Sequence, residues 1–197
     1  KRQMRKEQKA NYPESARGAA ALLVRMVLED GAYTNIALNQ YLRGSRLSDL
    51  DRRLATELVY GTVKASGTLD WYLAQCVSRP LDKVAGDILA ILRISTYQLL
   101  YMTRIPASAA VNEAVKLARS VSHEGSAKFV NGVLRGLLRK QEAGAFVLPD
   151  TEKQDADYLS LQYYHPRWLV KRWLGPWGRG GTERLLAFDN TAAPVCL

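Results

Sequence analysis

One stretch of the sequence constrains the fold more than any other. Between Phe129 and Arg139, apolar side chains recur with the spacing i, i+3, i+4, i+7 and i+8, at Val130, Val133, Leu134, Leu137 and Leu138. This spacing predicts an amphipathic helix. Gly132 and Gly136 lie on a neighbouring face of that helix, and each costs about 1 kcal/mol of helix propensity relative to alanine. We therefore expect a central helix whose glycines are approached so closely by a second helix that a Cβ atom would clash.

The remaining sequence adds further helical patterns and no convincing alternating strand before residue 140. Helices joined by short connections predict an all-α fold. Residues 88–102 are apolar almost all round, which predicts a buried helix. We expect Arg93 within it to be a paired or snorkelling charge, Ser48 to be the N-cap of a helix, and Thr68 to cap the helix that follows it.

The charge balance narrows the class of partner. The chain has 28 Lys and Arg residues against 19 Asp and Glu residues, a formal net charge of +9. Such an excess favours phosphate-bearing partners, either nucleic acid or anionic lipid, although a merely basic surface is the alternative. No apolar run reaches the roughly 18 residues of a membrane-spanning helix, and the N-terminus lacks the apolar core of a signal peptide. We expect a cytoplasmic protein without membrane contact, disulfide or metal site.

Two short motifs resemble the signature pair of NusB-type domains. They are Val111–Ala118, with the sequence VNEAVKLA, and Phe129–Leu134, with the sequence FVNGVL. The resemblance covers residues 14–142 and implies an all-α bundle of two packed three-helix units that binds RNA. The motif residues to which we assign a structural role are Asn112, Glu113, Phe129, Asn131 and Gly132; direct RNA contact is the alternative for Asn112, Glu113 and Asn131. For the two asparagines and the glutamate we expect interhelical hydrogen bonds or caps.

The cations that we expect to bind RNA are concentrated in two places. One is a basic N-terminal arm, residues 1–13, with Arg17 projecting beside it from the first helix; the resemblance places the arginine-rich RNA element of the family at this end. The other is the flank of the helix Phe129–Arg139, where a solvated face is an equally good interpretation. Phosphate contacts of this kind confer affinity but little sequence reading. The predicted RNA-binding residues are Lys1, Arg2, Arg5, Lys6, Lys9, Arg17, Lys128, Arg135 and Arg139.

The sequence beyond residue 142 differs from a stand-alone NusB-type protein. Residues 143–157 read as an acidic linker. Residues 158–197 read as the start of a further, small domain, with a helix from Pro166 to Gly175, Thr182 as the cap of the next helix, and an extended run at Ala193–Leu197. The order HPRWLV, LLAFDN and AAP looks like the junction in bacterial ribosomal RNA cytosine-5 methyltransferases of the RsmB (Fmu, Sun) family. There the NusB-like domain precedes a small linker domain and a catalytic domain that binds S-adenosylmethionine.

This resemblance implies an enzyme for the parent protein and no catalysis by the chain itself. The sequence begins with Lys1 and ends in the apolar run Ala193–Leu197, so we expect a fragment that lacks its methyltransferase domain. Cysteine-based methyl transfer needs an activated thiolate, and the sequence has neither a Pro-Cys pair nor a glycine-rich turn between a strand and a helix for the cofactor. Both cysteines, Cys76 and Cys196, are predicted to be structural.

Three functional hypotheses follow. In the first, the chain positions small-subunit ribosomal RNA for a cytosine-5 methyltransferase, contacts the missing catalytic domain, and leaves S-adenosylmethionine to that domain. In the second, it is a transcription antitermination factor that binds RNA together with a ribosomal protein, a hypothesis against which the tail beyond residue 142 counts. In the third, it is a structural domain that braces the catalytic domain without touching RNA. The first is favoured by the order of the motifs.

Overall fold

The protein is helical throughout the part that the computed structural model describes, residues 11–150 and 154–191. This confirms the predicted all-α class for those residues, and no helix among them is long and apolar enough to cross a membrane. A short 3-10 helix, Leu81–Lys83, lies before the fifth α-helix. The α-helices are α1 (Ala16–Leu28), α2 (Thr34–Gly44), α3 (Asp49–Lys64), α4 (Ser66–Ala74), α5 (Gly86–Tyr101), α6 (Ala107–Val121), α7 (Glu124–Glu142), α8 (Asp155–Tyr163) and α9 (Arg167–Asp189).

Helix α5 is the centre of the packing. Helices α1, α3, α4, α6 and α7 all pack against it, and the stretch from Ile88 to Thr96 is buried without interruption. Each large apolar side chain fully buried there contributes roughly 1.5–3 kcal/mol. The predicted buried helix is therefore confirmed. Helices α1–α3 form one packed group and α5–α7 another, and the two meet where α1 and α3 lie on α5.

Arg93 is the one charged residue inside the buried stretch of α5, and it is paired as predicted. Its Nε and Nη2 atoms donate to Oδ1 and Oδ2 of Asp70 on α4, both at 2.7 Å. The planar guanidinium matches both carboxylate oxygens, which is the geometry of the strongest protein ion pairs. The charge thus ties α4 to the centre of the fold.

The two predicted caps had different outcomes. The Ser48 Oγ accepts a hydrogen bond from the Asp51 amide at 3.2 Å, so Ser48 is the N-cap of α3 as expected. The prediction for Thr68 is wrong, because α4 already begins at Ser66. The buried Thr68 hydroxyl instead donates to the Leu161 carbonyl at 2.9 Å, and this bond joins α4 to α8.

The C-terminal helices form a small second core. Ala156, Leu159, Val170 and Leu186 are buried together between α8 and α9. Helix α8 begins at Asp155, inside the predicted linker. The predicted helix end at Gly175 is also wrong, because helical residues continue past it; α9 consists of two helical segments joined by a kink at Gly178, where φ is 60° and ψ is −177°. Glycine adopts such a φ without strain, so one residue absorbs the bend, and Thr182 is buried inside the helix instead of capping it.

Candidate nucleic-acid interface

Three of the predicted RNA-binding cations lie on one exposed stripe of α7. Lys128, Arg135 and Arg139 are all exposed. At 3.6 residues per turn they point within about 40° of one another and extend along about 16 Å of the helix. The buried side chains of α7, such as Val130 and Leu137, lie on the opposite side. This stripe can therefore present three positive charges in a row to a partner.

The glycines of α7 lie on the exposed side, and the expectation that a second helix approaches them is wrong. A Cβ atom at Gly132 would meet nothing within 4 Å, and one at Gly136 would meet only the Arg139 Nη2 at 3.9 Å. The close approaches occur elsewhere, because a Cβ at Gly18 would lie 2.1 Å from the Pro13 carbonyl oxygen. The α7 glycines expose helix backbone beside the cations.

The polar residues of the two motifs bond within their own helices. The Arg135 Nε donates to the Asn131 Oδ1 at 3.0 Å along α7. The Lys116 Nζ donates to the Glu113 Oε1 at 2.8 Å along α6, and this bond lowers the pKa of Glu113. Asn112 is exposed and bonds to no other residue in the described ranges. The predicted interhelical hydrogen bonds are therefore wrong, since these side chains lie on outward flanks of their helices.

Arg17 of α1 contacts the core, and its predicted role in RNA binding stays a prediction. It is partly buried, and its Nε donates to the Oε1 of the buried Gln98 at 2.8 Å. The other amide atom, Nε2 of Gln98, donates to the Ile94 carbonyl at 3.1 Å, so Arg17 completes the hydrogen bonding of a core side chain. The predicted arm residues Lys1, Arg2, Arg5, Lys6 and Lys9 lie outside the described residues. Their role in RNA binding stays a prediction.

Two cations next to α7 were not predicted from the sequence as part of an RNA-binding surface. The Arg79 guanidinium lies over the ring of the partly buried Phe129, 4.6 Å from its centroid. Lys83 borders the adjoining cavity of about 270 Å³, together with Phe129 and Arg79. Both cations come from the connection between α4 and α5, which has no periodic pattern to indicate which way they point. We use the name basic α7 face for the set Arg79, Lys83, Lys128, Arg135, Arg139 and Lys140.

A second cavity, of about 350 Å³, lies at the other end of this face. Gly136, Arg139, Lys140 and Cys76 border it. Burial raises the pKa of the Cys76 thiol, an effect that the nearby Lys140 only partly opposes. A thiol with a raised pKa is a weak nucleophile at neutral pH. This surface is therefore suited to holding anions and lacks an activated sulfur.

The helical part of the chain up to residue 139 matches a known protein family. The sequence profile that describes the NusB family matches residues 14–139. The chain belongs to the NusB family. A crystal structure of antitermination factors NusB and NusE in complex with dsRNA is similar in fold, with a TM-score of 0.59 and 21% identity over 65% of this chain and 96% of that chain.

Two relatives extend the similarity beyond the NusB region. A probable ribosomal RNA small subunit methyltransferase B from Synechocystis sp. is 41% identical over 176 residues, which are 89% of this chain and 39% of that protein. The protein of the same name from Bacillus subtilis is 37% identical over 157 residues, 80% of this chain and 34% of its own length. This NusB-family chain thus spans less than half the length of either relative.

Proposed function

We propose that this chain is the RNA-positioning part of an S-adenosylmethionine-dependent methyltransferase that modifies cytosine C5 in small-subunit ribosomal RNA. The observation that carries the proposal is the basic α7 face in a NusB-family domain whose similarity to two ribosomal RNA small subunit methyltransferases B covers most of the chain. In this reading the domain holds the RNA in the cytoplasm while the remainder of the parent protein performs the chemistry.

The basic α7 face can bind RNA through its phosphates. Cations that neutralise phosphates release condensed counterions, and this release drives binding at low salt. Because Gly132 and Gly136 carry no side chain, a phosphate backbone can come close to the helix between Lys128 and Arg139. Point charges on phosphates fix the orientation of the RNA but do not read its bases. The face therefore positions the substrate and leaves the choice of nucleotide to other contacts.

We place the methyl donor and the nucleophile in the rest of the parent protein, in contact with this domain. Addition of sulfur to a pyrimidine needs a thiolate, and burial raises the pKa of the Cys76 thiol. Nucleotide-type cofactors are held where a strand passes through a glycine-rich turn into a helix. Residues 11–150 and 154–191 do not fit such a cofactor site, because they form helices and connections without a turn of this kind.

The proposal is tested by titrating a small-subunit ribosomal RNA fragment into the chain at two salt concentrations that differ fourfold. If about five phosphates are neutralised, affinity falls roughly a hundredfold over that range. The triple variant Lys128→Glu, Arg135→Glu, Arg139→Glu leaves about two of these contacts, so its affinity should fall only roughly sevenfold. It should also bind more weakly than the unchanged chain at the lower salt concentration.

A matched control separates local contacts from total charge. The triple variant Arg43→Glu, Arg53→Glu, Arg172→Glu makes the same charge change at exposed positions on α2, α3 and α9. We expect its salt dependence to stay close to that of the unchanged chain. Equal losses in the two triple variants would contradict a specific α7 contact. Binding that does not respond to salt, or no binding, would favour a bracing domain that does not touch RNA.

A further inference from the structure

A groove unrelated to the basic α7 face lies where the C-terminal helices meet the NusB-family domain. It runs between the turn that joins α3 to α4 and the turn that joins α8 to α9. Two cavities, of about 440 and 290 Å³, form this groove and share the residues Lys64 and Tyr164. Cavities of this size are comparable to the sites that hold small molecules or single groups of larger ones. We call the pair of cavities the seam groove.

The smaller cavity has an aromatic wall. Tyr97 and Tyr101 of α5 lie with ring centroids 5.3 Å apart, and Tyr164 meets Tyr101 edge to face at 5.8 Å. The Tyr97 ring packs against Gly61 so closely that a Cβ atom there would lie 2.1 Å from the ring. Burial, followed by a hydrogen bond with Tyr164, raises the pKa of Tyr101, which therefore remains a neutral phenol. The wall is therefore aromatic, with its rings tilted at 44° or edge-on at 88° to one another.

Tyr164 is held in an unusual backbone conformation. Its φ of 60° and ψ of 34° are left-handed, and it is the one non-glycine residue with positive φ in the part of the chain that the structure describes. A bulky side chain rarely adopts this region, and such conformations cluster at ligand sites. Here the conformation puts the ring at the boundary between the two cavities.

The larger cavity provides a positive end. Lys64 is exposed and belongs to no ion pair within the described ranges. Arg167, across the cavity, is bound to Asp157. Helices α4 and α9 both begin at this cavity, and neither Ala65 nor Pro166 at their N-caps supplies a side-chain hydrogen bond. The first amide groups of a helix then lack partners and carry partial positive charge.

We propose that the seam groove binds one nucleotide of a single-stranded RNA segment, with its base against the tyrosines and its phosphate at Lys64. The proposal rests on the proposed function and adds to it a contact with a base. Unstacked bases of single-stranded RNA stack on aromatic side chains, and every base has a face that can do so. The side-by-side arrangement of aromatic rings and a lysine that forms no ion pair with the described residues matches the two parts of a nucleotide.

The test uses the 197-residue chain with its tyrosine rings labelled with 13C. Cytidine 5′-monophosphate is titrated in, with ribose 5-phosphate as the control that lacks a base. We expect the monophosphate to shift the ring signals of Tyr97, Tyr101 and Tyr164, and ribose 5-phosphate to leave them in place. Signals that stay in place with both probes, or that move equally with both, would overturn the proposal.

Two variants then measure the contribution of each part. Lys64→Gln removes the cation, and Tyr164→Asn removes the ring but keeps a residue that tolerates left-handed backbone. We expect Tyr164→Asn to weaken binding of an oligocytidylate hexamer by about tenfold, as for the loss of one stacked base, and Lys64→Gln to weaken it less. The control Tyr33→Asn, at a tyrosine that is 77% exposed at the start of α2, should change nothing. Equal binding of the hexamer by all three variants would refute the proposed nucleotide site in the seam groove.

The outcome can be separated from that of the proposed function. A mononucleotide does not reach along the α7 stripe, so its ring shifts should persist in the triple variant of Lys128, Arg135 and Arg139. Salt-dependent binding of the RNA fragment without shifts of the tyrosine ring signals would refute the nucleotide site in the seam groove and leave the α7 contact standing. Shifts of the tyrosine ring signals without salt-dependent binding of the RNA fragment would refute the α7 contact and leave the seam groove standing. Shifts with the mononucleotide and none with the hexamer would show a site for a free nucleotide and overturn the RNA proposal.

Discussion

Substitution of Gly132 by alanine tests which way α7 faces. Glycine in a helix interior is less favourable than alanine by about 1 kcal/mol, partly because it loses more backbone freedom on folding. A Cβ atom at Gly132 would meet nothing within 4 Å, so no clash offsets this gain. We expect Gly132→Ala to increase the free energy of unfolding by about 1 kcal/mol, which corresponds to about 2–4 °C in Tm for a chain of this size.

The measurement is urea unfolding followed by far-ultraviolet circular dichroism. A higher midpoint with an unchanged m-value would report a change in stability alone. The matched control is Gly18→Ala in α1, where the new Cβ would lie 2.1 Å from the backbone oxygen of Pro13. Overpacking of this kind costs about 1–3 kcal/mol, so the control should be destabilised. If Gly132→Ala lowered the midpoint as Gly18→Ala does, the exposed position of the α7 glycines would be refuted.

Three further substitutions test single contacts by the same urea measurement. Asp70→Asn leaves the Arg93 guanidinium buried without its counter-charge, and we expect the free energy of unfolding to fall by about 3 kcal/mol after allowance for the partial exposure of the carboxylate. The double variant with Arg93→Met should lose less stability than the sum of the two single variants. Strictly additive losses would argue against coupling between the two side chains. Tyr12→Phe removes a 2.6 Å hydrogen bond to the Asp87 carboxylate and should cost about 1.5 kcal/mol. Ser48→Ala removes the N-cap of α3 and should cost about 1 kcal/mol, whereas an unchanged midpoint would mean that the cap contributes nothing.

The sequence was informative about which residues are buried and less so about their neighbours. Periodicity identified the inner stripe of α7 and the buried helix α5, because burial on one face leaves a trace at every turn. It also indicated a partner for Arg93, since a charge in an apolar run needs one, but it did not identify Asp70. For Gly132, the absence of a side chain is equally compatible with crowding and with open space. Only the positions of neighbouring helices separate the two, and these depend on the whole chain.

In the candidate site, too, residues on one helix could be predicted together, whereas residues brought together by packing could not. Lys128, Arg135 and Arg139 could be predicted as a group because one helix carries them at spacings that return to the same side. Arg79 joins them from a connection without periodicity, so nothing in its sequence context indicates its position over Phe129. The seam groove was not predicted at all. Its residues, such as Lys64 and Tyr164, come from segments that are remote in sequence and meet only after α8 has packed on α4.

The two motifs combine a structural half with an outward-facing half. Their apolar residues, such as Val111 and Val130, fill the core, and this accounts for the fold. Asn112 and Gly132 lie on exposed flanks, where packing does not require them, and Gly132 even reduces the stability of its helix. If the domain positions RNA, substitutions on these flanks should change RNA affinity with little loss of stability, whereas substitutions in the apolar half should do the reverse. The physical role of the motif pair would then be to attach an RNA-facing surface rigidly to the core.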